Sequence, residues 1–133
     1  MRTVLIPTDF STNAMHAINY ALQLYKCERT NFYFLHAFAD EVYGPFKKNN
    51  GASFEQQKET IKKNTDQSLQ DLIKKINEKE HNPKHTYKAL AVFESLVDAV
   101  NDFANEINVD LVVMGTKGKT ADKKITFGSH TVQ

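Results

Sequence analysis

Short apolar runs alternate with longer amphipathic stretches along this chain of 133 residues. Runs rich in β-branched and aromatic residues are typical of buried strands, and they occupy residues 3–7, 31–38, 86–92 and 109–114. Apolar positions at helical spacing predict helices between them, over about 12–26, 53–80 and 96–107. Strands that alternate with helices predict an α/β fold with a parallel sheet and right-handed crossovers. No interior linker or repeat interrupts the pattern, so we expect one domain.

Residue types that begin and end helices support these boundaries. Ser11 stands where a side-chain cap begins the first helix, and Ser95 with Asp98 forms an S-x-x-D capping box before the third. Asn108 ends the third helix. Residues 39–52 contain glycine, proline and asparagine, which predicts a long loop. The third strand is less apolar than the first two, so we expect it near an edge of the sheet.

Composition and charge exclude several classes of protein. The chain has 17 Lys and Arg against 16 Asp and Glu, a net charge of +1, so no overall field attracts nucleic acid or an anionic membrane. No apolar run reaches the ~18 residues of a membrane span, and the N-terminal run is too short for a secretory signal. The one cysteine, Cys27, excludes an intrachain disulfide and a four-cysteine zinc site. We expect a cytoplasmic protein.

Candidate chemistry follows the first and the fourth strands. In an open parallel α/β sheet, ligands bind beyond the carboxyl ends of the strands, where the strand order reverses. Residues 7–11 (PTDFS) follow the first strand, and residues 115–118 (GTKG) follow the fourth. The two segments meet in one crevice if these strands are neighbours.

Glycines near the C-terminus can cradle phosphate groups. Gly115 and Gly118 permit a tight turn and a close approach of the backbone to a ligand. We expect residues 115–128 to form a loop and Gly128 to open a fourth helix, whose free N–H groups suit a phosphate. Lysines in this loop raise the local positive charge. The spacing is neither a Walker A loop nor the G-x-G-x-x-G dinucleotide fingerprint.

The spacing Gly115-x2-Gly118-x9-Gly128-Ser129 resembles the ATP-binding signature G-x2-G-x9-G-[ST] of the universal stress protein family. Residues 4–11 (VLIPTDFS) look like the first strand and turn of that family, and residues 108–115 (NVDLVVMG) look like its fourth strand. The resemblance covers the chain from end to end. It implies a Rossmann-like open parallel sheet of order 3-2-1-4-5, with helices on both faces.

The resemblance also implies a site for ATP with magnesium. Adenine would lie near the backbone of Ala37, and the ribose near Met114 and Gly115. ATP-binding members of the family act in stress responses, commonly as dimers and with at most slow hydrolysis. The remaining implied contacts are Pro7, Thr8 and Asp9 against the nucleoside, and Gly118, Gly128, Ser129 and His130 on the phosphates.

The chain departs from the family pattern at its C-terminus. The family continues through a full fourth helix and a fifth strand, whereas this chain ends at Gln133. We therefore expect a sheet of order 3-2-1-4 without the fifth strand, in one nucleotide-binding domain over 1–133. Such a chain resembles a truncated form or the front part of a longer, tandem protein. The open edge of the fourth strand then predicts self-association, as in a homodimer, or a downstream domain that covers it.

Structural roles compete with ligand binding at several of these residues. Asp9 can cap the first helix or accept turn amides, and the two glycines after the fourth strand are common in turns. We expect His36 in the core or at its rim. We place His81 and His85 in the loop around Pro83, where their spacing is not that of a metal site.

Three functions remain open on the sequence. The first is an ATP-binding regulatory module of the stress response, with catalysis left undecided. The second is a ligand-free dimerisation or interaction module, as in the branch of the family that lacks the glycine signature. The third is an adenylating enzyme of the ATP-pyrophosphatase group. The segment from Thr8 to Ser11 disfavours it, because an S-G-G-x-D-S turn is missing there. No Ser-His-Asp or paired-carboxylate site can be assigned.

Overall fold

A computed structural model describes residues 2–39, 41–42, 54–79, 81–117 and 123–128, and only the backbone of 115–117 and 123–128. The elements alternate as predicted through the fourth strand. In chain order they are β1 (Arg2–Pro7), α1 (Thr12–Leu24), β2 (Thr30–Ala37), α2 (Phe54–Lys79), β3 (His85–Val92), α3 (Leu96–Glu106), β4 (Leu111–Lys117) and β5 (Lys123–Gly128). None of the described helices is both long and apolar enough to span a bilayer.

The strands form one sheet of order β3-β2-β1-β4-β5. β1 runs parallel to both β2 and β4, and β2 runs parallel to β3. Val4 of β1 lies between Phe32 of β2 and Leu111 of β4. The predicted parallel order 3-2-1-4 is confirmed, and β3 is an edge strand as expected. The strand order reverses between β1 and β4, which is where such sheets bind ligands.

The prediction that the sheet stops at four strands is wrong. Residues 123–128 form β5, which pairs antiparallel with β4 from Lys117↔Lys123 to Val112↔Gly128. An antiparallel neighbour needs only a short connection, whereas a parallel one needs a crossover of a dozen residues or more. The sequence 125–127 (ITF) is also rich in strand-forming residues. β5 covers the edge of β4, so the edge from which we predicted self-association is not open.

Alternation along the strands gives the sheet two apolar faces. Val4 and Ile6 point to one face and Leu5 to the other, and all three are fully buried. α1 and α2 cover the first face, where Ile18 and Leu69 pack against the strands. α3 covers the second face through Ala99 and Ala104, which pack with Leu5, Leu35 and Val109. The sheet is thus a rigid support for the turns at its carboxyl edge.

The predicted caps form. The Ser11 hydroxyl accepts from the Ala14 N–H at the start of α1, and the Ser95 hydroxyl accepts from the Asp98 N–H at the start of α3. The end of α3 is also as expected, since Asn108 follows it with a φ of 53°. Asparagine adopts this left-handed conformation more easily than most residues.

His85 does not lie in a loop as predicted. It is the first residue of β3 and is 8% exposed. Its Nε2 lies 2.8 Å from the carbonyl oxygen of Tyr25, and its ring meets that of Phe32 edge-on. The ring therefore fills the gap between the end of α1 and the edge strand, a role that depends on contacts far away in the sequence.

Candidate functional site

A cleft lies at the carboxyl edge of the sheet, beyond β1, β2 and β4. It encloses about 120 Å³, less than the ~300 Å³ at which drug-sized ligand pockets begin. This volume suits one flat ring system better than a whole nucleotide. The cleft lies where the strand order reverses, as the rule for open α/β sheets requires. Its lining residues are Pro7, Thr8, Asp9, Ala14, His36, Ala37, Leu96 and Met114.

The turn between β1 and α1 forms one wall of the cleft and is held by its own side chains. Thr8 extends the pairing of β1 with β2 by one hydrogen bond, because its N–H donates to the Leu35 carbonyl at 2.8 Å. The Thr8 hydroxyl then accepts from the Phe10 N–H at 3.1 Å, and the Asp9 carboxylate accepts from the Ser11 N–H at 2.9 Å. Asp9 thus has the local turn role that the sequence left open, and its side chain is exposed at the cleft.

Phe10 has a strained backbone in this turn. Its φ is 63°, in the left-handed region that a bulky residue seldom adopts. Such strain persists only where the surroundings over-determine the conformation, and it clusters at ligand sites. Here the two side-chain hydrogen bonds of the turn hold the backbone, and the Phe10 ring packs on the His36 ring at a centroid distance of 5.1 Å.

His36, near the end of β2, lines the cleft beside this turn. Its Nδ1 lies 2.7 Å from the carbonyl oxygen of Thr8, and its Nε2 contacts the carboxylate of Glu41. Only 12% of the His36 side chain is exposed, against 51% for Glu41. The sequence predicted that His36 lies in the core or at its rim, and the structure places it at the rim. The position of His36 at the end of a strand, close to where the strand order reverses, is the sequence feature that could have indicated a role in the site.

The rest of the lining is mainly apolar. Ala14 and Ala37 leave room beside the strand ends, and Met114 closes the side formed by β4. Leu96, at the start of α3, stands at the rim and is 43% exposed. Small and flat apolar walls with a few polar groups at one side are the usual form of a site for a heterocyclic ring.

The structure brings together some predicted site residues and separates others. The five predicted nucleoside contacts that line the cleft are Pro7, Thr8, Asp9, Ala37 and Met114. Gly115 follows Met114 but lies within β4, where it pairs with Ile125, rather than in the expected loop.

One predicted phosphate contact, Gly128, lies away from the cleft. Gly128 does not open a helix: it ends β5 and pairs with Val112, two residues before Met114. Antiparallel pairing carries it away from the carboxyl edge, which the glycine spacing could not show. Gly118, Ser129 and His130 lie outside the described residues.

A second, wider depression of about 450 Å³ lies at the opposite, amino edge of the sheet. It is lined by Arg2, Glu28, Arg29 and Asp110. Arg2 pairs with Glu28 at 2.9 Å, and the Asp110 carboxylate accepts the Thr3 N–H at 2.8 Å. Two positive and two negative side chains cancel, so this depression does not favour an anion. Ligands of open α/β sheets also bind at the other edge.

Comparison with known proteins supports the fold. The crystal structure of the hypothetical protein PH0823 has a TM-score of 0.70 and 23% identity, covering 91% of this chain and 80% of that one. The structure of hypothetical protein MJ0577, which was solved to assign its biochemical function, has a TM-score of 0.65 and 22% identity. The match covers 90% of this chain and 77% of that one. A universal stress protein family member from Burkholderia pseudomallei has a TM-score of 0.61 and 20% identity, covering 86% and 81%. Identities below 25% show the fold alone.

A search of curated protein sequences finds no significant match. The family model that does match is that of the universal stress protein family, over residues 1–133. The match extends over the cleft-forming turn at Thr8, the end of β2 at Ala37 and the end of β4 at Met114. The chain therefore belongs to the universal stress protein family.

Proposed function

We propose that this protein is an ATP-binding regulatory protein of the stress response. One observation carries the proposal: the structure brings Pro7, Thr8, Asp9, Ala37 and Met114 into one cleft at the switch point of the sheet. These residues come from three strand ends that are remote in sequence. Their convergence at the place where open α/β sheets bind nucleotides supports a nucleoside site.

The cleft residues fit the nucleoside part of ATP. We assign the adenine to the apolar part of the cleft, against Ala14, Ala37 and Met114. We assign the ribose to the polar side, where Thr8 and the exposed Asp9 carboxylate stand. A cleft of about 120 Å³ takes the ring system and leaves the phosphate groups outside it.

We assign the phosphates to Gly118, Ser129 and His130 on the sequence spacing alone. Magnesium would be carried by the phosphates, since the described residues contain no cluster of three or more His, Cys, Asp or Glu side chains that could hold a metal ion. The bound ion would neutralise phosphate charge. The proposal assigns binding residues and no catalytic residue, and phosphate release can be measured in the same samples.

The test combines nucleotide content with calorimetry. Protein purified gently at low salt should carry ATP, which chromatography of the heat-released fraction identifies. Ala37→Leu fills the cleft and should abolish titration by ATP and by adenosine. Thr86→Leu places the same side chain on the exposed edge strand and should leave both affinities unchanged. Equal affinities in the two variants would contradict the assignment of the cleft.

A ligand-free interaction module is the second candidate. Leu96 and Val97, at the start of α3, are 43% and 68% exposed, and exposed apolar side chains at a rim favour protein contacts. On this alternative the purified protein carries no nucleotide and does not titrate with adenosine. Val97→Asp would then abolish binding of a protein partner, whereas Ala37→Leu would not.

A further inference from the structure

We propose that His36 is a charge-dependent clasp between the two turns at the carboxyl edge of the sheet. Its imidazolium form joins Thr8, after β1, to Glu41, after β2. Loss of its proton releases Glu41 and loosens that side of the cleft. The effect on ligand binding rests on the proposed function, whereas the clasp itself is a property of the free protein.

Both ring nitrogens of His36 face hydrogen-bond acceptors. Nδ1 lies 2.7 Å from the Thr8 carbonyl oxygen, which can only accept, and Nε2 contacts the Glu41 carboxylate. A neutral imidazole has one N–H and cannot donate to both. The imidazolium has two, so it satisfies both contacts while Glu41 is ionised. The observed geometry is therefore that of a charged, paired histidine.

The described lining of the cleft places one further titratable residue near this ring. In the part of the chain that the structure describes, Asp9 is the other titratable residue of the cleft lining. The remaining elements around the cleft contribute uncharged side chains: Ala14 from α1, Met114 from β4 and Leu96 from α3. The Phe10 ring packs on His36 without a charge. Glu41 is the carboxylate in direct contact with the ring.

Glu41 belongs to a helical turn that leaves the end of β2. The N–H groups of Glu41 and Val42 both donate to the Phe38 carbonyl, at 3.1 and 3.3 Å. Val42 is fully buried and anchors the turn to the core. The contact of Glu41 with His36 is the link from this turn to the cleft wall. The Ala39 N–H also donates to the Glu94 carbonyl at 3.4 Å. Of these attachments, only the contact of Glu41 with His36 depends on charge.

Deprotonation of His36 changes only its contact with Glu41. Neutral His36 keeps its Nδ1–H on the Thr8 carbonyl and presents the Nε2 lone pair to the Glu41 carboxylate. Two acceptors repel, and the half-exposed Glu41 can turn to water. Histidine is the side chain that pH switches in proteins commonly use. The turn then keeps its Val42 anchor and loses its link to the cleft.

Amide hydrogen exchange on the free protein tests the clasp. The probe is the Glu41 amide, followed from about pH 5.5 to 8.5 and corrected for the intrinsic rate, and the Val42 amide reports the part of the turn that stays anchored. In the wild type the protection of the Glu41 amide should fall roughly tenfold when the imidazolium form is lost, a local opening without global unfolding. Amides of β1 report the global stability and should not follow this change.

Glu41→Gln is the matched control. The glutamine amide can accept from the imidazolium or donate to the neutral ring, so its contact survives at every pH. Protection in Glu41→Gln should therefore stay level across the range, and in Glu41→Ala it should be low throughout. Wild-type protection that parallels Glu41→Gln over the whole range would overturn the clasp.

Adenosine is the probe for the effect on binding, because it carries no phosphate and stays uncharged in this range. Wild-type affinity should weaken by roughly tenfold above the titration of His36, the cost of re-ordering about one residue. Affinity of Glu41→Gln should not change with pH. If adenosine binds no form at any pH, the proposed function fails, and the exchange experiment still decides the clasp. If the adenosine affinities of wild type and Glu41→Gln depend on pH in the same way, the clasp does not affect ligand binding in the cleft.

Discussion

The Asp9 carboxylate accepts a hydrogen bond of 2.9 Å from the Ser11 N–H, across the turn that follows β1. The same carboxylate lines the cleft. Asp9 therefore combines a structural role with the position of a ligand contact, and the two roles can be separated by substitution.

Asp9→Asn keeps an oxygen that can accept the Ser11 N–H, whereas Asp9→Ala removes it. We expect Asp9→Ala to lower the free energy of unfolding by about 1 kcal/mol, the net value of one hydrogen bond. Asp9→Asn should leave stability nearly unchanged. Both should weaken ATP and adenosine alike, as measured by calorimetry. Unchanged affinity in both variants would reduce Asp9 to its turn role.

Gly118→Val tests the phosphate part of the site, which lies outside the described residues and rests on the glycine spacing. A β-branched side chain blocks the close approach of backbone to phosphate. We expect loss of ATP binding with unchanged far-ultraviolet circular dichroism. Adenosine affinity should be retained, since the cleft is untouched. Full ATP affinity in the folded variant would exclude Gly118 from the site.

His85 should contribute strongly to stability, because it is buried and its Nε2–H donates to the Tyr25 carbonyl at 2.8 Å. We expect His85→Ala to lower the free energy of unfolding by about 2–4 kcal/mol, through the lost hydrogen bond and the cavity. His81→Ala, at an exposed neighbour, should change it by less than about 0.5 kcal/mol. Urea unfolding measures both. A small effect at His85 would show that the edge of the sheet repacks.

Asn108 ends α3 with a φ of 53°, and the Val109 N–H donates back to the Ala104 carbonyl at 3.2 Å. Glycine adopts this conformation at lower cost, and alanine at higher cost. We expect Asn108→Gly to raise the free energy of unfolding by about 0.5 kcal/mol and Asn108→Ala to lower it by about 1 kcal/mol. Thermal unfolding of both variants checks the order. The reverse order would contradict the left-handed cap.

Carboxyl groups before and along α3 predict a pH dependence of stability. A hydrogen bond with Asp102 is the main cause that raises the pKa of Glu94 above its ordinary value of 4.5. Partial burial and the negative charges of Asp102, Asp98 and Glu106 also raise it. A raised pKa in the folded state stabilises the protein below that ordinary value. This contribution is lost as pH rises through the folded-state pKa.

Asp102→Asn should remove most of this dependence. Relative to the wild type, the variant should gain stability as the pH rises from about 4 to 7, because the repulsion between Glu94 and Asp102 is gone. Urea unfolding at several pH values gives the difference. Asn101→Asp, which adds a charge elsewhere on the same helix, is the control for net charge. A constant difference between Asp102→Asn and wild type would contradict the coupling.

The amino-acid sequence by itself determined the local features of this protein. The apolar run at Val4 to Ile6 specifies β1, and the hydroxyls of Ser11 and Ser95 specify where α1 and α3 begin. Asn108 specifies where α3 ends. The rule for open α/β sheets makes Thr8 and Asp9, after β1, candidate site residues, whereas the order that sets β1 beside β4 and the place of Met114 were implied by the family resemblance. The strand, the two caps and the helix end depend on neighbouring residues and on periodicity alone.

The tertiary structure decided the features that depend on remote partners. Residues 123–128 become a strand because β4 offers an open edge, which outweighs the expected loop and helix at Gly128. His85 is buried because Tyr25, sixty positions away along the chain, presents a carbonyl to it. His36 faces both Thr8 and Glu41 only when the two turns meet at the edge of the sheet. Sequence spacing carries no information on which distant acceptor a histidine reaches, because that distance is set by the packing of the whole sheet.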